Sequence, residues 1–321
     1  MKRITWSGLM TRYPALFALV LLLLAILVNW ILQPNMFASD TLNSNMRVFL
    51  PIILLTAGQA IVILGGGIDI SVGGIVSIVN TILATRVGLE GSIEAMWQYV
   101  AISLLAGALA GAINGFFIAY LRLQPIITTY ATSFLYAGFA LFILPNPGGG
   151  IPASIAGVYR NSRPLGLPLA FFVIAIVIGL WLYFRSTRYG NFLFAVGGNA
   201  QAAYETAVPV TRVVFSTYVI SGIMAAFSGI AITMLSGSGS AEIGSAMTLH
   251  SITGVVIGGT ALSGGIGGVV GPIMGAITLG VIQNIISFAG ITTWWETLAK
   301  AAIIVLALAT PGIINLFRRR E

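Results

Sequence analysis

The sequence contains no cysteine, one histidine and two lysines, and only 7% of its 321 residues are charged. Without cysteine there are no disulfides, thiolate metal sites or cysteine nucleophiles. One histidine, His250, excludes a metal site built on several imidazoles. The two lysines, Lys2 and Lys300, follow no glycine-rich loop, so the chain has no phosphate-binding P-loop of its own. A soluble domain of this size would show a surface about a quarter charged, and there are too few charges here to provide one. Nor is there a polar stretch long enough to form a soluble catalytic domain.

What fills the chain instead is apolar: 58% hydrophobic residues and a mean hydropathy of +1.01. A crossing helix takes roughly 20 apolar residues, and the runs predict about ten crossings, at 14–32, 47–64, 70–86, 97–121, 125–144, 168–184, 212–235, 249–263, 269–290 and 297–317. The chain reads as all-α, one polytopic transmembrane domain over 1–321. The first run follows Lys2, Arg3 and Arg12 as a signal peptide would, but it is long and has no small-residue cleavage site, so it is expected to stay as a helix. The pI near 10 does not point to nucleic acid, because no patch of interleaved basic and aromatic residues exists. With the N-terminus inside, ten basic residues fall on the cytoplasmic side (2, 3, 12, 122, 185, 188, 212 and 318–320) and five outside (47, 86, 160, 163 and 300). The positive-inside rule then predicts cytoplasmic termini.

Three connecting features carry information. The segment 145–168 holds five of the 12 prolines and the run Gly148 to Gly150, so an ordered external loop is expected there, with no continuous helix through it. Glycines at 107, 111 and 115, and again at 267, 271 and 275, have the spacing of close helix packing. Two further clusters, Gly65, Gly66, Gly67, Gly73, Gly74 and Gly258, Gly259, Gly264, Gly265, Gly267, Gly268, are expected to break helices at membrane depth, hint at an internal repeat, and mark a translocation path and its inner gate. Asp69 in GGGIDISVGG is the one acid deep among apolar segments. It is expected either to cap, with Ser71, the helix that follows or to contact an ion or substrate.

Between the sixth and seventh predicted crossings lies a polar stretch, Arg185 to Arg212, with a short helical segment from Ala200 to Ala207, capped by Asn199 and stopped by Pro209. Its charge makes it cytoplasmic and its exposure makes it a docking element. The combination GGIDISVGG (66–74), AVGGNAQAA (195–203) and VVIGGTALSGGIGGVVGPIMGA (255–276) resembles the ribose-type permease subunits of bacterial ABC importers, over essentially the whole chain. That resemblance implies a permease related in architecture to the cobalamin-type importers, in the bacterial inner membrane. It implies pairing with a second copy or a paralogue, delivery of a sugar by a periplasmic binding protein, and two cytoplasmic ATPases that carry ATP and magnesium. Gly197, Gly198, Asn199, Ala202 and Ala203 match the loop that packs into the ATPase, which makes 199–208 the coupling helix. Thr206, Ala207 and Val208, preceded by Glu205, stand where relatives often carry a Ser-Gly-Ile-like tripeptide, and His250 stands where they commonly carry an acid. The path residues expected from the glycine breaks are Gly66, Gly67, Asp69, Ser71, Gly73, Gly258, Gly259, Gly264 and Gly265. The competing reading is an ion-coupled secondary transporter, for which Asp69 is the single candidate carboxylate; a membrane scaffold would leave the docking loop and the broken helices without a role.

Overall fold

The computed structural model describes residues 14–290 together with Trp294, Trp295 and Leu298. These are helical throughout: α1 (Pro14–Leu32), α2 (Ser39–Leu64), α3 (Val72–Arg86), α4 (Ile93–Ala119), α5 (Pro125–Ile143), α6 (Ala153–Asn161), α7 (Leu169–Ser186), α8 (Arg188–Gly198), α9 (Ala200–Glu205), α10 (Val210–Ser236), α11 (Met247–Ile257) and α12 (Val270–Phe288). Among the described residues the sole β pairing is an isolated bridge between Gly148 and Gly239. Seven helices (α1, α2, α4, α5, α7, α10 and α12) are long and apolar enough to cross a membrane, while α3 and α11 are apolar but short. The tenth expected crossing, 297–317, lies outside the described residues apart from Leu298. The eighth expected run, 249–263, ends at Ile257 because the glycines that follow turn the chain.

The outer face is apolar, and the interior, though largely apolar too, holds a set of wholly buried polar side chains. α1 exposes Leu23, Leu24 and Ile31, and α5 exposes Tyr130, Phe134 and Phe142, whereas Gln59, Asp69, Asn80, Asn114 and Ser228 are wholly buried. In lipid the buried side must supply the hydrogen bonds that the surroundings cannot. α2 runs through the centre, packed by α10, α12, α11 and α7. α10 crosses α4 on the expected small-residue face: a Cβ at Gly107 would reach 2.5 Å from the Gly222 carbonyl oxygen, and one at Gly115 would reach 2.7 Å from that of Phe215. Of the second stripe, Gly271 and Gly275 pack on α11 as expected, but Gly267 precedes α12 and lies against Thr260.

The 145–168 segment contains α6, a nine-residue helix that the prolines bound rather than break. Its position follows from Pro51 inside α2. Proline has no amide to give the carbonyl four residues earlier, and the Arg47 carbonyl accepts instead from the Tyr159 hydroxyl of α6 at 2.7 Å. Asn43 and Arg47 in turn donate to the Arg160 carbonyl (2.8 and 3.1 Å). The Arg160 guanidinium donates twice to the Leu235 carbonyl (3.2 and 2.8 Å), putting a cation on the negative end of α10. Asn80 of α3 stitches the same end of the bundle, donating to Thr233 Oγ1 and the Ser238 carbonyl and accepting from the Ser240 amide. The α6 end is therefore tied together by side chains as well as by backbone, through the Gly148–Gly239 bridge and the Gly150 amide on the Ala84 carbonyl.

Candidate coupling site and helix breaks

Two elements are interrupted in the same way. After α2, the amides of Gly65, Gly66 and Gly67 donate to the carbonyls of Ile61, Ile63 and Val62. After α11, those of Gly258, Gly259 and Thr260 donate to Gly254, Val256 and Val255. The spacings match residue for residue, and Gly66 and Gly259 carry the left-handed backbone (φ +84° and +79°) that this helix ending needs. The ends of α2 and α11 therefore share a local design.

Beyond the first break the chain runs extended through Ile68 to Ile70 before α3 begins, so freed backbone groups lie in the protein interior. They are met by side chains from α2, α5 and α11, while α4 and α10 hold the Ser71 and Asp69 side chains. With its amide nitrogen set toward the Asp69 carbonyl, as the surrounding donors and acceptors require, Gln59 of α2 donates there at 3.1 Å and accepts from the Asp69 amide at 3.2 Å. Thr129 of α5 donates to the Ile68 carbonyl, and Thr248 of α11 donates to that of Ile70 while accepting from the Gly73 amide. The Asp69 carboxylate accepts from the Ser71 amide (2.9 Å), the Ser71 hydroxyl (2.7 Å) and, on its other oxygen, the Ser221 hydroxyl of α10 (3.1 Å). Ser71 accepts from Asn114 of α4, which accepts from Thr132 of α5 (both 2.7 Å). Asp69 and Ser71 thus sit together at the start of α3. Gly73 lies inside α3 rather than in the break, pressed against the Gly244 carbonyl. Gln59, Asn114, Thr132 and Ser221 were not among the expected site residues; the amides of Gln59 and Asn114 stand out within apolar runs, whereas Thr132 and Ser221 are two among many hydroxyls on α5 and α10.

The second break is closed by Thr260, whose hydroxyl donates to the Gly268 carbonyl (2.8 Å) and accepts from its amide (3.2 Å). It is then joined to the first: the Gly265 amide donates to the Leu64 carbonyl at 3.0 Å. Gly197, the penultimate residue of α8, covers this bond. A Cβ there would overlap the Leu64 carbonyl oxygen and come within 2.6 Å of the Gly265 nitrogen, and one at Gly264 would come within 2.7 Å of the Gly197 carbonyl oxygen. Gly66, Gly197, Gly264 and Gly265, drawn from three separate motifs, meet as bare backbone. Gly67, one residue past Gly66, lies against the Tyr218 ring, while Gly258 packs on Pro272 of α12.

α8 was not expected from the sequence; Leu193 and Val196 fix it by burying in the core. Burial pushes the Tyr189 phenol up to about 12, so it stays a neutral donor to the Val213 carbonyl. α9 follows after Asn199, whose side chain accepts from the Ala202 amide at 3.0 Å. Ala203 is 4% exposed and Tyr204 69%, so the buried and open faces of the short helix are distinct. The helix ends on the pattern of the two breaks, with Thr206, Ala207 and Val208 amides donating to Ala202, Tyr204 and Ala203, but here the left-handed position is Ala207 (φ +61°).

Comparison with known proteins is consistent with this geometry. Residues 42–308 match the family described as branched-chain amino acid transport system / permease component. The ribose import permease protein RbsC of Escherichia coli is 31% identical over 91% of both chains. The autoinducer 2 import system permease protein LsrD of Photorhabdus temperata is 32% identical over 94% of this chain and 92% of its own. The probable ABC transporter permease protein y4mJ of Sinorhizobium fredii is 32% identical over 80% and 77%. No solved structure matches. With 267 consecutive positions covered by the family model (42 through 308) and near full-length relatives above 30% identity, the chain belongs to this family of transport-system permease components.

Proposed function

We propose that the chain is the membrane-spanning subunit of an ABC importer that passes a sugar or sugar-like solute inward from a binding protein, paired with a second permease and driven by two ATPase subunits. The observation that carries this reading is the seating of α8 and α9: the open face of α9 is free to dock on a partner, while its root, Gly197, rests on the hydrogen bond that joins both helix breaks. Force applied to α9 would reach the junction of both breaks through the backbone contact at Gly197, alongside Leu193 and Val196, which seat α8 in the core. The α8–α9 end is then cytoplasmic and the α6 end faces the binding protein. The termini are cytoplasmic, ten crossings include 297–317, and the architecture is that of the cobalamin-type importers.

A neutral polyol suits the interior: the buried polar groups are hydroxyls and amides, and the acceptors of the one deep carboxylate are engaged by Ser71 and Ser221. That engagement counts against an ion-coupled carrier, which needs a carboxylate open to its ion. The test is reconstitution with an ABC ATPase and a periplasmic binding protein, comparing ATP-dependent uptake of labelled ribose and of leucine. Ribose uptake that requires ATP and the binding protein is the expected result; leucine uptake, or flux driven by an ion gradient with this chain alone, would overturn the proposal.

A further inference from the structure

Between α10 and α11 the chain does not stay outside the membrane. Residues 237–246 leave the outer end of α10 and descend along α3. Gly239 bridges to Gly148 at the rim, and the Asn80 side chain accepts from the Ser240 amide at 2.7 Å. Lower down, the Ser77 hydroxyl accepts from the Gly244 amide at 3.1 Å. Gly244 then lies on Gly73, so closely that a Cβ on either would overlap the other's carbonyl oxygen. Thr248, in the first turn of α11, reaches the Ile70 carbonyl beside the first break. Gly73 stands thirteen residues below Arg86, the outer end of α3, a drop of about 20 Å at 1.5 Å per residue. The segment therefore completes a crossing of which α11, with 11 residues, spans only about 16 Å in a core about 30 Å thick.

Two independent observations say what surrounds this segment. Residues 241–246 form turns rather than a helix, and their outer side is open, with Glu242, Ser245 and Ala246 exposed. Irregular backbone at membrane depth is tolerated where it is buried in protein or lines a water-filled cavity, not against lipid. The second observation is a charge. Glu242 lies two residues from Gly244, at most about 7 Å, which leaves it about 12 Å or more below Arg86. Its carboxylate has no hydrogen-bond or ion-pair partner among the described residues, where the one ion pair joins Arg163 to Asp40. A carboxylate facing hydrocarbon is costly, and such groups turn to water or to a partner. The open turns and the free carboxylate thus require the same thing, water on this face of α3.

We infer that residues 240–246 line the outer half of the solute path, and that Glu242 and Ser245 hydrogen-bond the sugar as it passes. The inference rests on the importer reading above. A carboxylate with both oxygens open accepts from two neighbouring hydroxyls at once, a pair that a sugar presents and an apolar side chain does not. Asp69 is no substitute, because its oxygens are engaged by Ser71 and Ser221. Glu242 also stands outward of Asp69, so a solute arriving from the α6 end meets it first.

The experiment uses the complete transporter in lipid vesicles, with ribose as the solute. In this cysteine-free chain, Glu242→Cys and Ser245→Cys should each react with a charged, impermeant methanethiosulfonate added on the binding-protein side. The reaction is read as a mass shift and should slow several-fold while ribose is being delivered. Leu24→Cys, on the apolar face of α1 (58% exposed), should not react. Glu242→Ala should lower ribose uptake about tenfold, the loss of one hydrogen bond to a charged group, with ATP hydrolysis stimulated by the binding protein unchanged. Glu242→Asp should recover part of the loss. Wild-type vesicles that take up no ribose with ATP would remove the importer reading and this inference together. With normal wild-type uptake, the inference alone is overturned if Glu242→Cys and Ser245→Cys are as unreactive as Leu24→Cys, or if Glu242→Ala transports ribose as well as wild type. Dissociation of the permease pair in Glu242→Ala, with no labelling at either position, would assign the carboxylate to the contact between permeases and overturn it as well.

Discussion

Replacing Gly197 by alanine tests whether the three glycine motifs act as one junction. The added methyl overlaps the Leu64 carbonyl oxygen and approaches the Gly265 nitrogen to 2.6 Å, so α8 must withdraw or the 3.0 Å bond between Gly265 and Leu64 must open. Both neighbours are backbone, and neither can turn aside as a flexible side chain would. Overpacking costs about 1 to 3 kcal/mol, and leaving a buried amide or carbonyl unpaired about 1 to 3 more, for a total of about 2 to 6 kcal/mol. Gly198 is the matched control, since a Cβ there meets nothing within 4 Å. The assay is the thermal midpoint of the purified chain, read alongside ATP hydrolysis and uptake in the reconstituted complex. Gly197→Ala is expected to lower the midpoint by several degrees and to lose uptake more than hydrolysis, because the ATPase would still turn over on a loosened junction. Gly198→Ala should keep its midpoint. Equal midpoints and uptake for Gly197→Ala and wild type would refute the reasoning, as would equal destabilisation by the two variants.

The open face of α9 is better probed at Ala202, which is exposed, than at Ala203, which is buried within the chain itself and would disrupt it if enlarged; Ala202→Arg should leave the midpoint unchanged and abolish co-purification of the ATPase, and retained co-purification would count against docking there. Ala207→Gly relieves a left-handed alanine and should stabilise the chain by about 0.5 to 1 kcal/mol, read as a small rise in thermal midpoint. Asp69→Asn keeps an acceptor for Ser71 and should retain most transport without new ion dependence, whereas Asp69→Leu strands the Ser71 amide and the Ser71 and Ser221 hydroxyls and should fail to fold; loss of uptake in a well-assembled Asp69→Asn complex would point to a carboxylate acting on substrate or ion. Because the chain lacks cysteine, single cysteines at Ser154 and Ser186 report sidedness: an impermeant thiol reagent should label the first from outside and not the second, and the reverse would invert the topology.

The long helices were legible because lipid imposes a simple rule, an apolar run of sufficient length, and α1, α4, α5, α7, α10 and α12 begin and end within four residues of the expected positions. α6 and α8 were not. Both are short and semi-polar, and both are held by tertiary contacts: Tyr159 on the carbonyl that Pro51 leaves open, Leu193 and Val196 in the core. The glycine clusters were legible as breaks, but composition cannot tell a glycine that turns the chain from one that lets another backbone approach. Gly66 does the first, Gly73 and Gly197 the second, and their meeting depends on partners more than a hundred residues apart.

That distinction bears on how energy moves through the protein. Had the docking segment reached the breaks through side chains, each rotamer on the way would absorb part of a displacement. Here Gly197 has no side chain, its neighbours Leu64 and Gly265 present only carbonyl and amide, and the bond between them already joins the end of α2 to the loop that leads into α12. A shift of α8 toward the bundle is therefore blocked by backbone, and a shift away uncovers a hydrogen bond that lipid cannot replace. On the other side of the first break, the chain is fixed to α2, α4, α5, α10 and α11 by Gln59, Asn114, Thr129, Thr132, Ser221 and Thr248. Between Gly197 and this network lie Gly65 to Gly67, whose amides close the end of α2 and which carry no Cβ. On the importer reading proposed above, the first break would serve as the hinge of the cycle and the polar network around Asp69 as its fixed end, so stiffening the hinge should stop transport while leaving ATP hydrolysis to continue.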